Sequence, residues 1–477
     1  MDPKNLERVD DVIYELRKDH RGDMCVPLRI IADEVLLSSI ARDRSIEQLV
    51  NVATLPGATR FALGMPDMHE GYGFPVGGVL ATVPPDGAIS PGGIGFDINC
   101  GVRLLATGLG KDDLGRIEPL VHELSRSIPT GYGRGGRLSL GEEELDRVLA
   151  EGCPYLVAEH GLGHAADLDV IESRGCLRAA DPGKVSDRAK QRGRDQLGTL
   201  GGGNHFLELQ VVDAVFDAQA AGTLGLSEGV VTVLIHTGSR GLGHQVCTDY
   251  VRIMDDALAR HGIILPDPQL ACAPLSSREG KDYFAAMCAA ANFAWCNRQA
   301  LTHKVREVFR RHLGARADGD LRIVYDVAHN VAKLESFGKR TLLVHRKGAT
   351  RAFGPSNPEV PPPYRAIGQP VFIPGSMGTS SFVLVGTDAS ESISLSSTCH
   401  GAGRALSRGA AKRRVAGATL RRELESQGVV VRCPSNAELA EEAPLAYKDV
   451  ERVVDVVARA GIARKVARLR PIGVLKG

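Results

Sequence analysis

The sequence predicts an α+β fold, one large mixed domain over residues 1–477, on three observations. Short β-favouring runs bounded by Gly and Pro recur along the chain and alternate with longer stretches of helical spacing. No low-complexity linker and no internal repeat divides it. Residues with metal-ligand chemistry are scattered from Asp97 to His329. If they serve one site, the segments that carry them must interweave.

Taken in order, the first stretch, to Val50, alternates polar and apolar residues at helical spacing and is expected to pack a helix or two against the body. From Phe61 to Thr107 the chain is Gly-rich, with β-favouring runs at 78–83 and 101–105; Pro84-Pro85-Asp86-Gly87 between them is a turn signal. Residues 150–198 read as a charged, amphipathic helical layer at the surface. Three later segments share one form, a buried strand running into a polar cluster: 230–235 into His236, 321–326 towards His329, and 370–373 into Pro374-Gly375-Ser376. A rigid strand that gives way to a loop fixes the direction of the side chains there, so such ends often carry function. A helix is expected over 282–313, a loop at Pro361-Pro362-Pro363, and a basic helix over 405–422.

Composition excludes several classes. The chain has 43% hydrophobic and 24% charged residues, an ordinary globular balance. Its net charge of +1 gives no global field for nucleic acid, so any such contact must be a local basic patch. Fifty-five glycines against 5% aromatic residues favour holding a small molecule against main-chain atoms. The polar N-terminus lacks the apolar stretch of a signal peptide. No apolar run approaches the roughly 18 residues of a membrane span. The ten cysteines include no CxxC pair, which points to a reduced, cytoplasmic chain.

Four clusters set a His or Cys beside Gly or Asn: Phe96-Asp97-Ile98-Asn99-Cys100-Gly101, Gly201-Gly202-Gly203-Asn204-His205, Ile235-His236-Thr237-Gly238-Ser239-Arg240, and Asp326-Val327-Ala328-His329-Asn330. Each alone has an ordinary explanation as a turn Asp, a buried Cys or a core His. Together they offer a carboxylate, a thiolate and three imidazoles, more than the four ligands of a closed structural zinc. The surplus points to two ions bridged by Cys100, an arrangement suited to phosphoryl transfer. Ligand types leave the ion open, since affinity order alone favours zinc over manganese. A fifth cluster, Thr398-Cys399-His400-Gly401-Ala402-Gly403-Arg404, is either an anion-binding turn or a loop presenting an imidazole nucleophile to a nucleoside triphosphate. There is no G-x-x-x-x-G-K-[ST] loop and no Lys-x-Asp-Gly motif, so neither P-loop chemistry nor lysine adenylation is indicated.

FDINCGVR, GTLGGGNHFLEL, HTGSRGLGHQV, YDVAHNVAKLE, VHRKGATRAF, GQPVFIPGSMGTSSFVL, STCHGAGR, AYKDV and the terminal RPIGVLKG resemble the RtcB family of RNA-splicing ligases, in order from Phe61 to Gly477. The resemblance implies a β-sandwich-like core surrounded by helices. It also implies an enzyme that joins an RNA 3′-phosphate or 2′,3′-cyclic phosphate to a 5′-hydroxyl, consuming GTP with Mn²⁺ in tRNA splicing or RNA repair. Carried over, Asp97, Cys100 and His205 hold one Mn²⁺, Cys100, His236 and His329 hold the other, and His400 becomes guanylated. The implied guanylate pocket comprises Asn204, His205, Phe206, Leu207, Glu208, His329, Asn330, Pro374, Gly375, Ser376, Met377, Ser381, His400, Gly401, Ala402, Gly403, Tyr447 and Lys476. Arg240, Lys347, Arg404 and Arg408 are candidates for RNA phosphates. RNA, including tRNA exon halves, is the implied substrate, and an archease-type activator an implied partner; a monomer is the default. Residue chemistry by itself leaves two competitors: a two-metal phosphohydrolase with no use for His400, and a non-catalytic RNA- or nucleotide-binding protein.

Overall fold

The segment VVTVLIHT is apolar along most of its length, as a strand buried on both faces must be. In the computed structural model, which describes residues 5–131, 135–136, 138, 140–314 and 321–477, it forms Val230–Thr237 near the middle of an eight-stranded sheet. The order across that sheet is Arg322–Ala328, Gly101–Gly110, Val230–Thr237, Phe206–Val215, Ala463–Lys476, Ser381–Gly386, Pro370–Ile373, with Val430–Arg432 added in parallel to Ala463–Lys476. Its end strands approach each other, so the sheet curls towards a barrel. All three strand-then-cluster segments are strands, and the α+β architecture expected from the sequence is the one observed.

A second sheet runs Glu7–Asp10, Ile13–Leu16, Leu28–Ile31, Ala58–His69, Val76–Thr82, Arg340–Lys347, Asn330–Phe337. Here the N-terminal expectation needs correction. Residues 7–31 contribute three strands and one 3-10 turn, Lys18–His20, and the α-helices come only afterwards, at Glu34–Ile40 and Ser45–Val52; the first four residues of the stretch lie outside the described residues. Ile13-Tyr14-Glu15-Leu16 is too short for its periodicity to decide, and pairing with Leu28–Ile31 decides it. His329 lies between Arg322–Ala328 in one sheet and Asn330–Phe337 in the other, so the chain crosses from sheet to sheet at that residue.

The helix Arg278–Leu313 has 36 residues, about 54 Å at 1.5 Å per residue. Ser277 caps its start, accepting from Gly280 N, and Gly314 at φ 62° ends it. Residues 286–302 are buried all round, as a helix inside a core must be. Phe293, Trp295 and Phe309 pack in one cluster with Leu105, Leu207, Val233 and Ile235 of the sheet. Residues 150–198 are less helical than expected: Cys153–His160 and Asp187–Gly193 are separated by 3-10 turns, and Asp167 and Glu172 are buried in ion pairs. The basic helix is also broken, into Arg408–Arg414 and Gly417–Ser426, because Val415 and Ala416 are extended. This part packs as a small lobe around Leu420, Leu424, Val431 and Leu439, with Met377 and Val474 beneath.

Candidate active site

Register brings the four His/Cys clusters to one end of the first sheet. Gly101 pairs with both Ala328 and Thr237, and Phe206 pairs with His236. Cys100, His329 and His205, each one residue outside its strand, therefore meet His236 there. Main-chain bonds lock the arrangement: His329 N donates to Cys100 O at 2.9 Å, and Asn99 N to Asn330 O at 2.7 Å.

The result is two donor triads that share the Cys100 sulfur. Cys100, His236 and His329 form one, and Asp97, Cys100 and His205 the other, with the ligand atoms of each within 4.8 Å of one another. Cys100 Sγ lies 3.4 Å from His205 Nε2 and 3.3 Å from His236 Nε2; His236 Nε2 lies 3.2 Å from His329 Nε2. Asp97 Oδ2 lies 2.8 Å from His205 Nε2, and Asp97 Oδ1 accepts from Ser239 N at 3.1 Å. Burial holds His236 and His329 well below the ordinary imidazole value, so each keeps a lone pair at neutral pH. Burial opposes ionisation of Asp97 as well, but His205 and Arg240 outweigh it and bring the carboxyl down to about 2. Burial, with Asp97 adding to it, pushes the Cys100 thiol well above its ordinary value. A cation seated among these groups reverses that balance, since a coordinating thiol is deprotonated outright. Neutral imidazoles, a carboxylate and a buried thiol converging in this way fit a metal.

His400 stands beside the cluster, its ring centroid 5.0 Å from that of His329. A two-stranded ribbon, Ala349–Arg351 against Ser397–Cys399, delivers it. Its Nδ1 lies 2.6 Å from Asp67 Oδ2, and its backbone N donates to the same oxygen at 3.2 Å. Nδ1 thus carries the proton and Nε2 the free lone pair, the tautomer being assigned from its partner. Gly403, at φ 72°, could carry no side chain, because a Cβ would come 2.2 Å from Asp67 O. Asp67 is fully buried on the strand Ala58–His69, and Lys448 Nζ donates to Met68 O at 2.5 Å and Pro66 O at 3.3 Å on either side of it. Sequence reading passed over Asp67 and Lys448; an aspartate inside an apolar strand, followed by His69, was the available signal.

A cavity of about 430 Å³ joins these parts. Asn204, Phe206, His236, His329, Asn330, Lys347, Pro374, Gly375, His400 to Gly403, Arg404, Arg408 and Tyr447 all line it. Leu207 faces the core, and Glu208, Ser376, Met377, Ser381 and Lys476 are buried outside the lining. Lys476 Nζ sits 5.6 Å from the centre of the Phe206 ring. Asp97 and His205 line an adjoining cavity of about 340 Å³ with Arg192, Arg240 and Arg408. The four predicted phosphate contacts differ in setting. Arg240 is buried and donates to Thr199 Oγ1 at 3.3 Å and Gly131 O at 3.2 Å, with Nη1 3.2 Å from His205 Nδ1, so it orients that imidazole. Arg404 pairs with Glu442 at 3.1 Å and lies over Tyr447; Arg408 pairs with Glu442 at 3.2 Å. Lys347 Nζ donates to the carbonyls of Tyr72 and Gly92, and burial brings its ammonium down to about 7.

Burial pushes the Glu208 carboxyl up to about 8, although Gln210 Nε2 donates to it at 2.8 Å and Lys476 is near. The protonated carboxyl contributes stability that is complete below its ordinary value of 4.5, declines as pH rises, and is gone above about 8. Glu208→Gln removes the titration, so the variant should gain on the order of 3 kcal/mol over wild type at about pH 9 and little at about pH 5. Urea melts at the two pH values read this; equal gains at both would show that Glu208 is not the titrating group.

A His/Cys/Asp cluster centred on the Cys100 sulfur, at the seam of two sheets in a mixed α+β fold, is suited to holding metal. Residues 48–477 match the family model described as tRNA-splicing ligase RtcB. The chain is 52% identical over 478 residues to the tRNA-splicing ligase RtcB of Archaeoglobus fulgidus, covering 99% of each chain. It is equally similar, 52% over 478 residues and 99% of each chain, to that of Thermococcus kodakarensis. Against the RNA-splicing ligase RtcB of Mycobacterium tuberculosis it is 51% identical over 438 residues, 90% of this chain and 100% of the other. The chain belongs to the RtcB family. Among the described residues, no helix is long and apolar enough to cross a membrane.

Proposed function

We propose that the whole chain acts as one catalytic domain that joins RNA 3′-phosphate or 2′,3′-cyclic phosphate ends to 5′-hydroxyl ends at the expense of GTP, with tRNA exon halves among its substrates. The observation that carries this reading is His400, its Nδ1 held by buried Asp67 and its Nε2 left as a nucleophile in the cavity that also meets His236 and His329. A phosphohydrolase built on the same cluster would have no use for that pair.

Asp97, Cys100 and His205 would hold one Mn²⁺, and Cys100, His236 and His329 the second; bound there, the ions would polarise phosphate oxygens and the attacking oxygen. His400 Nε2 attacks the α-phosphorus of GTP; the N–P bond forms as the P–O bond to pyrophosphate breaks. Asp67 keeps the imidazole in the reactive tautomer and stabilises the charge that develops on it, as a buried carboxylate does for a catalytic histidine. An oxygen of the RNA 3′-phosphate then attacks the guanylyl phosphorus, breaking the N–P bond and restoring His400. The 5′-hydroxyl attacks the activated 3′-phosphate, loses its proton and displaces GMP, leaving a 3′,5′-phosphodiester. A cyclic phosphate is first hydrolysed to the 3′-phosphate.

Asn204 and Asn330 can donate to the nucleotide's phosphate oxygens, with the main chain of Gly375 and Gly401 to Gly403 close by. Glu208 and Lys476 would read the guanine edge, for which the cavity must extend past Phe206, and Tyr447 would contact the base. RNA phosphates would meet Arg408 and Lys347, with Arg240 and Arg404 acting through His205 and Tyr447. The chain works in the cytoplasm as a monomer, with an archease-type protein as its activator.

Incubation with α-labelled GTP and Mn²⁺ in the absence of RNA tests the central step. Label should stay on the protein in base and leave it in acid. Protein that stays unlabelled, while still joining RNA ends, would exclude the covalent route.

A further inference from the structure

The helix Arg278–Leu313 carries, at its buried middle, consecutive polar residues that the proposed chemistry does not use, Asn297 and Arg298 among them. Asn297 and Arg298 are both fully buried, among Trp295, Cys296, Ala300 and Leu301. A guanidinium in such a place is stable only when it is paired and its remaining donors are bonded. All of the donors of Arg298 are engaged. Nε and Nη2 form a bidentate pair with Asp326 Oδ2 and Oδ1, each at 2.9 Å. Nη1 donates to Asn99 O at 2.9 Å and to Thr237 O at 2.8 Å, and Nη2 also donates to Asn99 Oδ1 at 3.1 Å.

Each acceptor belongs to a different ligand-bearing segment. Asn99 stands between Asp97 and Cys100, Thr237 follows His236, and Asp326 lies on the strand that ends beside His329. Asn297 reaches the remaining one: its Oδ1 accepts from Gly198 N at 2.8 Å and Thr199 N at 3.1 Å, on the loop that leads to His205. Its Nδ2 donates to Thr199 O at 3.0 Å and Gly238 O at 3.2 Å. Two details mark these contacts as constraining. Asn99 sits at φ 51°, a region that non-glycine residues seldom occupy, and both of its oxygens are bonded to Arg298. A Cβ on Gly101 would come 3.0 Å from Arg298 Cζ and 2.3 Å from Val327 O, so the guanidinium packs directly on the backbone that follows Cys100.

We propose that Asn297 and Arg298 are positioning residues, a single helical turn that sets the spacing of all the ligand-bearing segments and with it the affinity and geometry of the metal cluster. The inference rests on the reading of that cluster as a metal centre. Lysine cannot replace Arg298, because an ammonium has no fork and fewer donors. A buried pair farther from the ligands is available for comparison on the same helix: Arg306 is bidentate with Asp167, at 2.7 and 2.8 Å, and its Nε donates at 3.0 Å to Leu321 O, at the end of the Asp326 segment remote from His329.

The test is a Co²⁺ titration of the full chain without GTP or RNA, following the d–d and thiolate charge-transfer bands. Arg298→Lys should weaken Co²⁺ binding by about 10–100-fold and shift the bands. Arg306→Lys should lower the melting temperature yet leave affinity and spectrum at wild-type values. Wild-type affinity and spectrum in Arg298→Lys would overturn the proposal. Should that variant fail to fold, Asn297→Ser decides in its place: altered bands support the proposal, and unchanged bands overturn it. A wild-type chain that takes up no Co²⁺ overturns the metal reading itself, and is seen before any variant is compared.

Discussion

Replacing His400 with alanine should lower RNA joining by at least about 10⁴-fold while metal content and fold stay close to wild type. The side chain is 14% exposed, lies on a loop, and contributes nothing to either donor triad. Its loss costs Asp67 Oδ2 one of two donors, leaving the backbone N of residue 400 at 3.2 Å. A partly satisfied buried carboxylate costs about 1–3 kcal/mol, a few degrees of melting temperature in a chain this long. Single-turnover ligation, metal analysis and a thermal melt on one preparation separate the effects. Joining retained within tenfold of wild type would remove His400 from the chemistry, and loss of metal together with activity would make its part structural.

Cys100→Ser is expected to be the most damaging change to the proposed two-ion centre. Its Sγ is the one donor common to both triads, so replacing it weakens both sites at once. A serine hydroxyl is smaller and does not ionise near neutrality, so affinity for both ions should fall by more than about 100-fold. Cys272→Ser, at an equally buried thiol in the second sheet's core, should lower stability and leave metal uptake alone. Elemental analysis after dialysis reads the outcome. One full equivalent of tightly held metal in Cys100→Ser would show that the triads do not share the thiolate.

Much of the site was legible because its residues break local patterns. His236 ends an apolar strand, and Asn204-His205 follow three glycines, so each announces itself in one dimension. Asp67 does not: within Ala58–His69 it looks like an interruption, and only the arrival of residue 400 from the other end of the chain gives it a partner. Arg298 was hidden for the same reason, since a helix of ordinary propensity says nothing about which donors meet which carbonyls. Lys476 looks like a solvated tail by position, yet pairing opposite Phe206 buries it. The strands of 7–31 were missed because four-residue runs fit either periodicity, and the basic helix was overdrawn because its charge pattern runs through the break at Val415. Local periodicity reads elements that stabilise themselves; register between distant segments decides the rest.

The placement of Ala463–Lys476 between Phe206–Val215 and Ser381–Gly386 also bears on how the protein is made. Both neighbours leave the ribosome before the strand that separates them, and residue 215 precedes it by on the order of ten seconds or more at about 5–20 residues per second. In that interval Phe206–Val215, joined later by Ser381–Gly386, waits with one edge unpaired, the kind of surface on which nascent chains aggregate. A chain that stops before Ala463 but holds Cys100, His236 and His329 would keep those donors without the strand that pairs with Phe206–Val215. The alignment of His205 and Phe206 in this way depends on a strand made long after them.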